Sequence, residues 1–253
     1  NVQNALSYMQ MQDSALQSVG KILDRMAELR TMAQDVTKNS GDIENYSKEF
    51  VELQSQLGQI KEEKFNGISL FSVNTQTLQN NGNTALAGGS YTNVSGTTVN
   101  YDKYGHTLFT AASGQAVDGS ISLNVVNLQF VLSVGNLSGA TNTNGSDLGG
   151  FDNTGNGIAN GFISSIIDVS IGQFTEAIEK LADMRAENGA EQNRVMNSIE
   201  LLQSNLTNLE AAHGRIMDAD IALESTRFAR HNVLVQASAA MTAQANQLTN
   251  VAL

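Results

Sequence analysis

The sequence predicts a mainly α-helical protein with a β-rich domain inserted into it. Three observations lead there. Both ends carry apolar residues at helical spacing, the middle shifts to short alternating runs with few charges, and there is no proline in 253 residues. Average usage of roughly 5% would give about a dozen prolines, and proline breaks helix interiors. The expected architecture is an elongated antiparallel helical bundle or coiled coil. Its two flanks fold back on each other, and a β-hairpin follows the second helix. The β domain stands at the distal tip, and both termini emerge at the other end.

Residues 1–71 read as two helices and a turn. Val2, Leu6, Met9, Leu16, Val19, Leu23 and Met26 recur near a 3.6 period. The stretch TKNSGD supplies a break, with Asp42 as the expected N-cap of the next helix. In that helix Ile43, Tyr46, Phe50, Leu53, Leu57 and Ile60 alternate steps of three and four. KFNGISLF follows, and Asn66-Gly67 is a strong turn signal for a short hairpin.

Residues 72–162 form the expected β domain. Asp102, Lys103, Asp118, Asp147 and Asp152 are its only charged residues, in a background of Gly, Asn, Thr and Ser. TTVNY and ISLNVVNLQFVLSV alternate as strands do. In the second run the apolar parity is odd at Ile121, Leu123 and Val125, then even from Leu128. A bulge or bend near Val126-Asn127 is the expected cause.

Helix returns at residue 163. Val195, Ile199, Leu202, Leu206, Leu209, His213 and Ile216 make a coiled-coil stripe with one polar member. After Arg230 the sequence becomes small and uncharged, as in VLVQASAAMTAQANQL. Such a helix is too bland to fold alone and needs a partner helix close against it. The chain starts at Asn1 inside an already helical pattern and reads as a fragment cut within an element.

Composition excludes several functions. A net charge of -11 and a pI of about 4.6 argue against nucleic acid as a partner. Without cysteine there is no disulfide, thiolate metal site or cysteine nucleophile. No run approaches the roughly 18 apolar residues of a membrane span. The stretch RIMDADIALESTRFAR sets Asp218, Asp220 and Glu224 among Arg215, Arg227 and Arg230. Asp220 and Glu224 share a helix face but Asp218 does not, and no calcium-type loop follows. The group reads as a solvated or subunit-facing charge cluster. No grouping fits nucleophilic catalysis or a phosphate loop, so the expectation is no enzyme and no cofactor.

These flanks resemble the bacterial flagellins. DSALQSVGKILDRMAELRTMAQD is similar to the family's first conserved helix, and FNGISLF to its helix-to-hairpin step. NLEAAHGRIMDADIALESTRFAR and AMTAQANQL are similar to its C-terminal signatures. The resemblance implies three parts. Residues 1–71 and 163–219 correspond to a rod-like core domain, 72–162 to a variable inserted domain, and 220–253 to the C-terminal helix of a terminal coiled-coil domain.

It further implies a structural subunit of the extracellular flagellar filament. Such a subunit is secreted through the flagellar export system, self-assembles through its termini and serves swimming. Implied partners are other subunits, an export chaperone, and cap and hook-junction proteins. Arg215, Asp218, Asp220, Glu224 and Arg227 become assembly residues. The motif match also places an innate immune contact, to a flagellin-sensing Toll-like receptor, at Arg25, Leu29 and Glu52. Alternative readings are a hook-filament junction protein and a surface adhesin or glycan-binding module. For the last, Tyr91, Tyr101 and Tyr104 are the candidate sugar-stacking residues.

Overall fold

The computed structural model describes the backbone of residues 1–72, 84–92, 96, 98–111, 114–115, 117, 119–133, 148–149 and 162–251. Within these, the side chains of 84–85, 99–100, 218–220 and 248–251 fall outside the description. The protein is mostly helical, with a small β region in the middle of the chain. It divides into two compact units, Asn1–Ser198 and Ile199–Leu253.

Helix α1 spans Val2–Ala33 and α2 spans Ser40–Lys61. The apolar stripe predicted for α1 is its core face: Met9, Leu16, Val19, Leu23 and Met26 are fully buried. Asn39, not Asp42, caps α2. The Asn39 side chain accepts from the Asp42 backbone N–H, and the Asp42 carboxylate accepts from the Asn39 N–H. Asp42 is thus the third residue of a capping box, which satisfies two orphan donors where a lone cap satisfies one.

The hairpin follows α2 as expected. Strand β1 (Lys64–Phe65) pairs antiparallel with β2 (Ile68–Ser69). Asn66 and Gly67 both hold positive φ, 52° and 85°. That is the left-handed turn that Asn-Gly adopts most readily.

The remaining strands are β3 (Phe71–Ser72), β4 (Thr84–Ala85), β5 (Gly89–Thr92), β6 (Thr98–Tyr101), β7 (Tyr104–Phe109) and β8 (Ser120–Asn127). They make a four-stranded sheet in the order β3-β8-β7-β4 and a separate β5-β6 hairpin. The parity change in ISLNVVNLQFVLSV has a different cause from the expected bulge. β8 ends at Asn127, whose side chain accepts from the Phe130 N–H and caps a short helix α3 (Leu128–Leu132). Past Asn127 the apolar residues follow a helical turn, so the two-residue alternation stops.

A 3₁₀ turn at Ile166–Asp168 leads into α4, Ile171–Val251. The first part of α4 runs antiparallel to α1. Arg30 donates to the Val169 carbonyl at 2.7 Å, Arg185 pairs with Asp13 at 2.9 Å, and Gln192 donates to the Met9 carbonyl at 3.5 Å. Extending that register, Val2 stands opposite the Ser198 end of this unit. Phe50, Phe174, Leu57, Ala177, Leu181 and Val195 complete the core.

The described strands bond along one side of the first part of α4. Lys103, Ser122 and Asn124 bond to Glu187, Arg194 and Glu191 of α4. Leu128, Phe130, Val131 and Leu132 are buried, which takes the apolar face of α3 out of water.

Candidate assembly surfaces

In the second unit the described side chains of α4 are almost all exposed. The predicted stripe continues past Val195, but only Val195 is buried. Leu206 is 58% exposed, Leu209 68% and Ile216 65%. Ile221, Leu223, Phe228, Val233, Leu234 and Val235 are also exposed. Large apolar side chains left in water on this scale mark an interaction surface.

The charge cluster lies on this stretch. Arg227 sits 3.8 Å from Glu224, one turn away, with both side chains mostly exposed. Arg215 is exposed too. Asp218 and Asp220 have helical backbone, and their side chains fall outside the described residues. Among the described residues no group of three or more His, Cys, Asp or Glu is placed to hold a metal ion.

The second candidate surface lies on α1 and α2. The Arg25 guanidinium donates to Glu49 at 2.7 Å and to Glu28 at 3.1 Å, and these bonds raise its pKa. Asp24, Arg25, Ala27, Glu28, Thr31 and Met32 line a shallow cleft of about 630 Å³. Glu52 is exposed on α2 and lines a neighbouring cleft with Glu44, Lys48 and Ser164. Leu29 lies fully buried beneath this surface. The structure therefore brings Arg25 and Glu52 to solvent and sends Leu29 into the core.

Two sets of polar residues escaped the sequence reading. The first fixes register inside the core. Gln12, fully buried, donates to the Leu70 carbonyl at 2.7 Å and accepts from Asn188, which accepts from Gln192 at 2.6 Å. A buried amide is tolerated when its bonds are made, and here they tie α1, α4 and the start of β3 at one height. The signal available was a Gln inside an apolar helix face.

The second set holds the β region on α4. Glu179, Glu187 and Glu191 accept from the Tyr91 hydroxyl at 3.1 Å, the Lys103 ammonium at 2.6 Å and the Asn124 N–H at 2.9 Å. Their spacing of eight and four places them along one side of the helix. Burial raises the Glu191 pKa, against the pull of the Asn124 N–H and Arg194. Burial first, then Glu179, pushes the Tyr91 hydroxyl up to about 12. Lys180 is buried beside them, its ammonium bonded to Ser133 and 5.3 Å from the Phe130 ring centre, and burial lowers its pKa.

Two of the three candidate sugar-stacking tyrosines are buried and the third is half-buried. Tyr101 is stacked on Phe130 at 3.9 Å and Tyr104 is buried. Tyr91 packs edge-on against Phe130.

A helical core with an exposed apolar helix is the build of a subunit that packs with others. Sequence comparison gives the family. The profile of the bacterial flagellin N-terminal helical region matches residues 1–76, and that of the C-terminal helical region matches 171–252. A flagellin of Bacillus subtilis is 30% identical over 255 residues, covering 98% of this chain and 76% of the relative. One from Halalkalibacterium halodurans is 29% identical over 251 residues, covering 98% and 73%. The crystal structure of Bacillus cereus flagellin superposes with a TM-score of 0.48 at 23% identity, covering 84% of this chain and 93% of that one. The chain belongs to the bacterial flagellin family. It is a structural subunit of the flagellar filament and serves motility, and the family's filaments are extracellular. The junction-protein and adhesin readings find no support in these matches.

Proposed function

We propose that the uncovered stripe of residues 199–253 is the filament-building surface of this subunit. The observation that carries this is the run of exposed Leu206, Leu209, Ile216, Phe228 and Leu234 on one continuous helix. Exposed apolar area on a helix gains most by packing against another helix. In this reading 199–219 completes the core domain against a partner helix, and 220–253 joins a terminal coiled coil. Arg215, Asp218, Asp220, Glu224 and Arg227 then set spacing by charge rather than supply most of the energy, since exposed ion pairs contribute little. No reaction is catalysed.

Electron microscopy of the full chain under polymerising conditions tests this. Leu206→Ser with Leu209→Ser should abolish filaments while the melting of 1–198 stays unchanged. Normal filaments from that double variant would remove the proposal.

Export unfolded, with chaperone, cap and hook-junction partners, is part of the same reading. The absence of cysteine supports it, because nothing in the chain can cross-link in transit. For the immune receptor contact, Arg25 and Glu52 supply the surface and Leu29 supports it from below. Arg25→Ala should weaken binding to a flagellin-sensing receptor with no change in melting.

A further inference from the structure

We propose that Met241, with Met217 as a second target, is a peroxide-sensitive modification site that the free subunit exposes; its consequence for assembly rests on the filament-building role of residues 199–253 proposed above.

The chain has eight methionines and no cysteine. Peroxide therefore meets no thiolate, and the thioethers are the sulfur nucleophiles available to it. Their accessibility differs sharply. Met9 and Met26 are fully buried and Met184 nearly so. Met217 is 49% exposed and Met241 68%, the most open of the described methionines. Met196, 48% exposed, is as open as Met217, and Met11 is 39% exposed; both lie on the first unit, outside the stripe of residues 199–253.

Placement gives the oxidation a consequence. Residues 232–253 contain no titratable side chain at all. Met241 is the only large apolar residue between Val235 and Leu248, and it stands two turns beyond the exposed Leu234 on the same face. It is the apolar anchor of that stretch. Oxidation would place a polar sulfoxide on a face that must dry out when another helix covers it.

The step balances without a further reactant. A lone pair on Sδ attacks one peroxide oxygen, the S–O bond forms and the O–O bond breaks. The departing hydroxide takes up the remaining proton as water. Sulfur is oxidised by two electrons and the peroxide is reduced by two. A methionine sulfoxide reductase reverses the change. Once Met241 is covered the sulfur is closed to peroxide, so the modification discriminates free from assembled subunits.

The test uses hydrogen peroxide on the native folded chain, followed by tryptic mass spectrometry. Cleavage after Arg194, Arg215, Arg227 and Arg230 puts Met196, Met217 and Met241 on separate peptides. Sulfoxide should form at Met241 and Met217 at least about tenfold faster than at Met9, Met26 or Met184. Equal rates at Met241 and Met26 would overturn the site. In a second arm, oxidised chain should polymerise more slowly than untreated chain, and Met241→Leu with Met217→Leu should restore the rate after peroxide. Undiminished polymerisation with Met241 fully oxidised would overturn the consequence. Failure of the untreated chain to polymerise would strike at the assembly reading and leave the oxidation map as the deciding result for the site.

Discussion

Leu23 and Leu209 sit on regular helices in stripes of the same spacing. One is fully buried and the other is 68% exposed. The difference lies in what each stripe meets. α1 is tied to α4 by Arg185–Asp13 and by the Gln12–Asn188–Gln192 ladder, and Arg30 bonds the turn just before α4 at Val169. Past Ser198 the same α4 backbone carries as rich a stripe, and its described apolar side chains are exposed. Helical spacing reports that a face wants cover; it does not report whether the cover belongs to the same chain.

Limited proteolysis should separate the two regions most strongly. An isolated helix in water is marginal and frays, whereas a packed one opens only with the core. Trypsin should cut at Arg215, Arg227 and Arg230 at least about 100-fold faster than at Arg30 or Arg185. Comparable rates, read by time-course electrophoresis and mass spectrometry, would erase the distinction.

Core truncations come next. Leu23→Ala or Leu29→Ala should cost about 2–5 kcal/mol and lower Tm by several degrees. Leu209→Ala should move Tm within error. A Leu29→Ala chain melting like the parent would place Leu29 at the surface after all.

A backbone approach sharpens the comparison within the first unit. A Cβ on Gly105 would stand 2.8 Å from both the Leu123 carbonyl oxygen and Leu86 Cδ1. Gly105→Ala should therefore destabilise by about 1–3 kcal/mol. Thermal denaturation with no change would show that β7 and β8 can part without loss.

The smallest effect is a slope. Burial raises the folded pKa of Glu191, with Glu187, Lys103 and Arg194 as its charged neighbours. A carboxyl raised on folding binds its proton more readily in the folded state. Stability from this group therefore falls as pH rises from the unfolded pKa through the folded one. Glu191→Gln keeps an acceptor for the Asn124 N–H and should flatten that part of the stability–pH curve. An identical curve for parent and variant would show that the β region is held without regard to this charge.

Much of the architecture was legible in the residues. The α1 stripe and the Asn66-Gly67 hairpin follow from local rules, a repeat of 3.6 and a left-handed turn, whereas the α2 heptad holds only in part: Phe50 and Leu57 are buried, Ser47 and Gln54 share that face, and Ile43, Tyr46, Leu53 and Ile60 are half-buried. The capping box was harder to read, because Asn39 and Asp42 are both good caps and only the geometry assigns their order. At the end of β8 the sequence could signal a change of period but not choose between a bulge and a helical turn.

The sequence alone determined that the two flanks are helical, that strands lie between them, and that no cysteine or proline constrains either. Those properties depend on side-chain chemistry and short-range spacing. Tertiary structure decided the rest: that Leu29 is buried while Arg25 is exposed, that Gln12 and Asn188 meet across helices 176 positions apart, that Glu179, Glu187 and Glu191 receive the β region, and that the described α4 stripe is exposed beyond Val195. Each is a long-range pairing. Its energy depends on which partner arrives at a given face, and spacing within one helix carries no record of that.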